Sequence, residues 1–216
     1  MMLLVRPAVS LALLALAACG SMNSDSLGAT AGERLAGLVT GRATPAAAPT
    51  TAPDLSNAKP GDILIVALLG RGLTATLTRQ GANNGKETWV SPGGVAMTFQ
   101  QGILVASRGL SEDLMGANVS EVMPALLAGS GTIHRTQSYL DSEDQIQTRD
   151  MTCTISRAGT ETIPTVTGPL AAAKVTEACQ SDALAFINSY WLSGGKIMQS
   201  RQALSPSVGF IQVNPT

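Results

Sequence analysis

The chain has little of what most chemistry and most recognition need. Among 216 residues there is one histidine, and the aromatics amount to two tryptophans, two tyrosines and three phenylalanines. Acidic and basic residues nearly balance, for a formal net charge of −1, and lysine and arginine form no block. With neither a basic patch nor aromatic platforms for stacked bases, nucleic acid is excluded as a partner. Any Ser-His-Asp triad must use His134, with Asp113, Asp141, Asp144 or Asp150 as the orienting carboxylate. Ser130, between Gly129 and Gly131, lacks the glycines two positions away that a nucleophile elbow requires. Asp141, Glu143, Asp144 and Asp150 form an acidic cluster without the glycine and spacing of a calcium loop, so a solvated hairpin turn is expected there. A lone histidine and a few cysteines make no zinc set. The chain therefore reads as a non-enzyme with no catalytic residues, no metal and no cofactor, and His134 as a surface or strand-edge residue.

What is present is an address. Arg6 is followed by an apolar run from Ala8 to Ala18, which is a signal peptide. The run is shorter than the roughly 18 to 20 residues that span a bilayer. It ends in Leu16-Ala17-Ala18-Cys19, the pattern of a bacterial lipobox, so residues 1–18 are expected to be removed and Cys19 lipidated. Several acyl chains, each contributing about 0.8 kcal/mol per buried CH2, make a firm anchor. No aspartate follows Cys19, which in a Gram-negative cell favours the outer membrane, with the body at the periplasmic face. Of three cysteines, lipid takes Cys19 and leaves Cys153 and Cys179 in an oxidising compartment. They are expected to form a disulfide, two buried free thiols being the alternative.

Residues 19–60 read as a lipidated tether. They hold a short amphipathic helix over Thr30–Arg42 and a proline- and alanine-rich linker from Ala43 to Pro60. Residues 61–216 should form the folded domain. Ile63–Leu69 and Leu73–Thr78 read as strands, and Gly81–Gly85 as a polar loop. Three strands of a meander follow, divided at Ser91-Pro92-Gly93-Gly94 and Gln101-Gly102. Leu114 to Leu127 carries apolar residues at three- and four-residue steps, which predicts a helical insertion broken by Pro124 and ended by Gly129. A hairpin over Ile133–Leu140 and Ile146–Ser156 comes next, with Cys153 on its buried face. Gly159–Val166, demoted to an edge by Pro164, then Val175–Cys179, Leu184–Leu192, Ile197–Gln202 and Val208–Val213 complete the strands. The fold class is mainly β, an antiparallel sandwich or partly open barrel with one short helical insertion and an N-terminal helix.

Two hairpins share a local grammar of tryptophan, apolar residue, serine and glycine turn: Trp89-Val90-Ser91 and Trp191-Leu192-Ser193. Trp89 and Trp191 are candidate core anchors, each burying roughly 150 to 250 Å2. The alternative is a groove lined by Trp89, Tyr190, Trp191 and Arg201 that receives a glycan or a partner loop.

The lipobox at Cys19, Thr88-Trp89-Val90-Ser91, Gly109-Leu110 with Asp113-Leu114, Asn188-Ser189-Tyr190-Trp191, Ser200-Arg201-Gln202 and Pro206 together resemble the YjbF/GfcB family of lipoproteins. Two turns depart from the family pattern, Pro92-Gly93-Gly94 after Ser91 and Gln101-Gly102-Ile103 before Gly109. The resemblance implies a mainly β outer-membrane lipoprotein, associated with capsule or exopolysaccharide production or export and without established catalytic activity. Its implied partners are the exopolysaccharide-export proteins and the polysaccharide itself. A carrier for a glycan or an acyl chain is the alternative reading.

Overall fold

The computed structural model describes residues 61–141, 143 and 145–214. Its strands are β1 (Ile63–Leu68), β2 (Leu73–Asn83), β3 (Lys86–Val90), β4 (Ala96–Gln100), β5 (Ile103–Arg108), β6 (Leu114–Asn118), β7 (Ser130–Leu140), β8 (Ile146–Thr165), β9 (Gly168–Gln180), β10 (Ala185–Ser193), β11 (Lys196–Ser205) and β12 (Gly209–Asn214). One helix, α1 (Val122–Ala128), lies between β6 and β7. The sheet runs β5-β4-β3-β2-β1-β12-β11-β10-β9-β8-β7-β6, with every pair antiparallel. Because β1 pairs with β12, setting Val66 opposite Val213, the two ends of the sheet, β5 and β6, are consecutive in sequence. The sheet rolls into a nearly closed, barrel-like form.

Period-2 alternation drives the roll. In β8, Met151, Cys153 and Ile155 are buried while Thr152, Thr154 and Ser156 are exposed. The interior holds two apolar clusters, one around Val66, Leu77, Trp89, Phe99 and Leu204, the other around Val122, Leu126, Ile133, Cys153 and Tyr190. β5 lies between them, since Leu104 joins the first cluster and its neighbours Ile103 and Val105 join the second.

The end strands are held by side chains as well as by the ladder. Asp113 accepts hydrogen bonds from the Ser107 hydroxyl at 2.8 Å and from the Gly109 and Leu110 amides at 2.9 and 3.3 Å. Arg108 donates to the carbonyls of Leu114 and Met115, each at 3.1 Å, and so bridges from β5 to β6. The Gly109-Leu110 and Asp113-Leu114 motif is thus the stitching of the seam.

Four local expectations need correction. Leu114–Asn118 is strand β6, not helix, and α1 covers only Val122–Ala128. Its pairing with β7, Leu114 opposite Tyr139, overrides a weak helical spacing that spanned two elements. Pro124 does not break α1 because it sits in the first turn, where its missing N–H has no helical acceptor. Gly81–Gly85 is not a loop: β2 continues to Asn83, and Asn84 and Gly85, at φ +50° and +73°, make a tight hairpin turn. Gly159–Val166 is not a separate strand but, to Thr165, the continuation of β8 past a bulge between Arg157 and Thr160. The expected helix over Thr30–Arg42 lies outside the described residues.

Candidate functional site

Sequence puts ionisable residues on the buried parity of two strands, Arg135 in β7 and Glu177 in β9, and the structure makes them the centre of a polar layer. Both side chains are fully buried, and the Arg135 guanidinium donates to both Glu177 oxygens at 3.1 and 3.0 Å. Glu177 Oε2 also accepts from the Tyr190 hydroxyl and from Asn188 Nδ2, each at 2.8 Å. Asn188 Oδ1 in turn accepts the Ala203 amide at 2.7 Å. Burial alone works to lower the Arg135 pKa, but the facing Glu177 carboxylate holds it above its ordinary value. Tyr190 is pushed well above the usual phenol range, first by burial and then by Glu177. It is therefore a fixed donor and not an acid or base at neutral pH.

A second group joins this layer to β5. Gln202 Oε1 accepts the Leu104 amide at 2.8 Å, while its Nε2 donates to the Gly102 carbonyl at 2.9 Å and to Ser200 Oγ at 2.8 Å. The Leu104 carbonyl receives Arg135 at 3.4 Å. Backbone groups of β5 that face no strand are thus satisfied by glutamine and arginine inside the fold.

Gly102 and Ser200 also line a cleft of about 210 Å3, walled by Trp89 and Phe99 on one side and Ile197 and Met198 on the other. Gly102 takes φ +82°, and a Cβ there would lie 3.1 Å from Ile197 Cβ, so glycine allows the turn to approach β11. Gln199 and Asn214 give the lining its amides, and among the described residues Glu87 is its one carboxylate, paired with Arg79 at 3.2 Å. The cleft suits the apolar face of one sugar ring or the end of an acyl chain. Among the described residues it lacks the paired carboxylates of a glycosidase, which stand on the order of 5 to 9.5 Å apart.

The proposed groove residues do not meet on one surface. Trp89 is in the cleft wall and Tyr190 in the polar layer. Trp191, on the opposite face of β10 from Tyr190, packs with Ile163 and Ala172. Its Nε1 donates to Glu161 at 2.7 Å, and Lys174 lies 5.0 Å from its ring centre while bonding the same carboxylate at 2.9 Å. The lysine bond, and then the indole bond, hold the Glu161 pKa below the carboxylate range. Arg201 stacks over Phe210 at 3.7 Å. As anchors, Trp89, Tyr190 and Trp191 are 6%, 0% and 8% exposed.

The other residues singled out are dispersed. Cys153 and Cys179 face each other across β8 and β9 and are joined by a disulfide. Their sulfurs lie near Glu177, but the bond between them removes both thiolates from any metal chemistry. His134 is exposed on β7, and its backbone amide bonds Glu121. Asp141 caps its own turn, accepting the amides of Glu143 and Gln145 at 2.9 and 2.8 Å. Those bonds, that of Gln145 foremost, hold its pKa low. Asp150 accepts Thr136. Cys19 lies outside the described residues. The layer of Arg135, Glu177, Asn188 and Gln202 was not anticipated as a site. Its signal was in the alternation, which sets Glu177 between Val175 and Cys179 on the buried parity.

An all-antiparallel, nearly closed barrel built around a buried, internally paired polar layer defines the class. The chain belongs to the family described as group 4 capsule polysaccharide lipoprotein gfcB, YjbF, whose profile matches residues 38–214. The crystal structure of the hypothetical lipoprotein YmcC from Escherichia coli (K12) has the same fold at 18% identity, with a TM-score of 0.63 over 70% of this chain and 81% of that one. No curated protein matches the chain.

Proposed function

We propose that the chain is a lipoprotein anchored through Cys19 in the outer membrane, with its barrel at the periplasmic face, and that it serves capsule or exopolysaccharide production or export as a non-catalytic accessory to the export proteins. The supporting observation is the commitment of the buried ionisable groups to one another. Arg135, Glu177 and Tyr190 bond to one another, with Arg135 Nε left unpartnered, and among the described residues the cleft carries a single ion-paired carboxylate. Membership of a capsule-associated lipoprotein family agrees with this reading. The test is complementation of a deletion strain. Wild type should restore surface polymer and Cys19→Ala, which has no anchor, should not. Full restoration by Cys19→Ala would overturn the anchor, and no loss on deletion would overturn the role.

The cleft supports a second reading, a carrier that holds a sugar ring or acyl end between Trp89 and Ile197. Isothermal titration of the purified domain with oligosaccharides of the strain's own polymer and with a short-chain fatty acid separates the two, since the accessory reading expects no heat from either.

A further inference from the structure

The two end strands of the sheet are protected, β5 by Gln202 and Arg135 and β6 by Arg108. One other edge is not. β7 begins at Ser130, opposite Ser156, whereas β8 continues for nine residues more, to Thr165. Among the described residues, β8 is paired along Arg157–Ile163 only with β9, and Arg157–Thr162 is exposed.

The direction of the unpaired groups follows from two prolines. Pro164 faces Pro169, and neither has an N–H, so theirs is a pair without ladder bonds. Alternation then gives the bonds to Ile163 with Leu170 and to Glu161 with Ala172. Thr160 and Thr162 must turn their N–H and C=O outward, away from β9. Both are β-branched, no lysine guards the stretch, and the row is bounded by the bulge between Arg157 and Thr160 at one end and by Pro164 at the other.

We propose that this edge of β8, centred on Thr160 and Thr162, is a docking site for an extended segment of another protein, which adds to the sheet as a further strand. A row of outward amides and carbonyls at strand spacing is matched by another strand. A second copy of the chain fits poorly. Antiparallel self-pairing of Thr160 with Thr162 sets Glu161 against Glu161, and a shift of two residues sets Thr160 against Pro164, which has no N–H to give. The fitting segment is uncharged or basic opposite Glu161. The proposal rests on the accessory reading only in supposing a protein partner.

The test uses the full lipoprotein in cells, with a photo-cross-linking benzoylphenylalanine in place of Thr162 or, as control, of Thr154, which is paired on both sides with Thr132 and Ala178. The adduct should map to one segment of a different protein at position 162 and not at 154. A synthetic peptide of that segment should then slow amide exchange at Thr160 and Thr162. Thr162→Pro, which removes an outward N–H and no bond to β9, should weaken the peptide about tenfold or more and leave the melting temperature nearly unchanged. Thr160→Lys should do the same, which guards against a misfolded proline variant. An adduct with a second copy, no adduct, or unaltered affinity in both variants would overturn the proposal. Loss of peptide affinity in Thr162→Pro with capsule unaffected keeps the edge and refutes the capsule role; capsule dependence with Thr162→Pro neutral does the reverse.

Discussion

Replacing Arg135 with methionine is the sharpest perturbation of the polar layer. The guanidinium supplies the positive charge facing Glu177, which is fully buried and would keep only the neutral donors of Asn188 and Tyr190. Removing one partner of a buried pair costs about 3 to 5 kcal/mol, because the remaining charge is left uncompensated. For a domain of this size that corresponds to a fall in melting temperature of roughly 6 to 20 °C. Glu177→Gln alone should cost about as much, since it strands the arginine. The double variant Arg135→Met with Glu177→Gln removes both charges and keeps an acceptor for Tyr190, so its deficit should fall to roughly 1 to 2 kcal/mol. Urea unfolding followed by tryptophan fluorescence gives all four corners of the cycle. A double deficit equal to the sum of the singles, or single deficits below about 1 kcal/mol, would refute the coupled layer.

Other consequences are as direct. The chain's two tyrosines are both buried, and burial pushes Tyr139 up to about 12 and Tyr190 well above its ordinary value. Because the fold favours the neutral phenols, their contribution is full below the unfolded pKa near 10 and is lost as pH rises through 12 and beyond. Tyrosinate absorbance should therefore be absent at about pH 11 while the protein is folded and appear only with unfolding. The double variant Cys153→Ala with Cys179→Ala should lose about 3.5 kcal/mol in the loop-entropy account of a bridge with a sequence separation of 26, as read from the urea midpoint. Gly129→Ala should be destabilising by more than about 1 kcal/mol, since φ is +74° and a Cβ would collide with Arg157 Nε. Trp191→Ala should cost about 3 to 5 kcal/mol and Trp191→Phe, which loses mainly the bond to Glu161, about 1 to 2; equal losses would show that the ring volume does not matter.

Strands were legible where side chains alternate and a glycine turn follows. Met97 and Phe99 in β4, or Met151, Cys153 and Ile155 in β8, face the interior as period 2 requires. β6 was hidden because Leu114, Met115 and Val119 match a helical spacing, and Gly116 weakens the strand signal. β8 was cut short by Gly159 and Pro164, yet Gly159 falls in the bulged stretch between Arg157 and Thr160, and Pro164 needs no N–H where it stands. The shared grammar around Trp89 and Trp191 set matching turns but not matching faces. Strand parity sends one ring to the cleft and the other to a small cluster on the far side of β10. The pairing of Arg135 with Glu177 could not be read from one chain, because it depends on β7 and β9 flanking β8, so that the two side chains meet over its buried face. Asn188, Tyr190 and Gln202 stood in the motifs that carried the family resemblance, and the structure accounts for them as the polar layer.

The accessory role is tested most directly by measuring sugar composition, chain length and location of the polymer together, in medium, at the cell surface and in the periplasm, in wild-type and deletion strains. The account predicts an unaltered repeating unit with less polymer at the surface, or polymer held in the periplasm. A changed composition or linkage would contradict it in favour of an enzyme, and identical polymer in all three compartments would contradict any part in export.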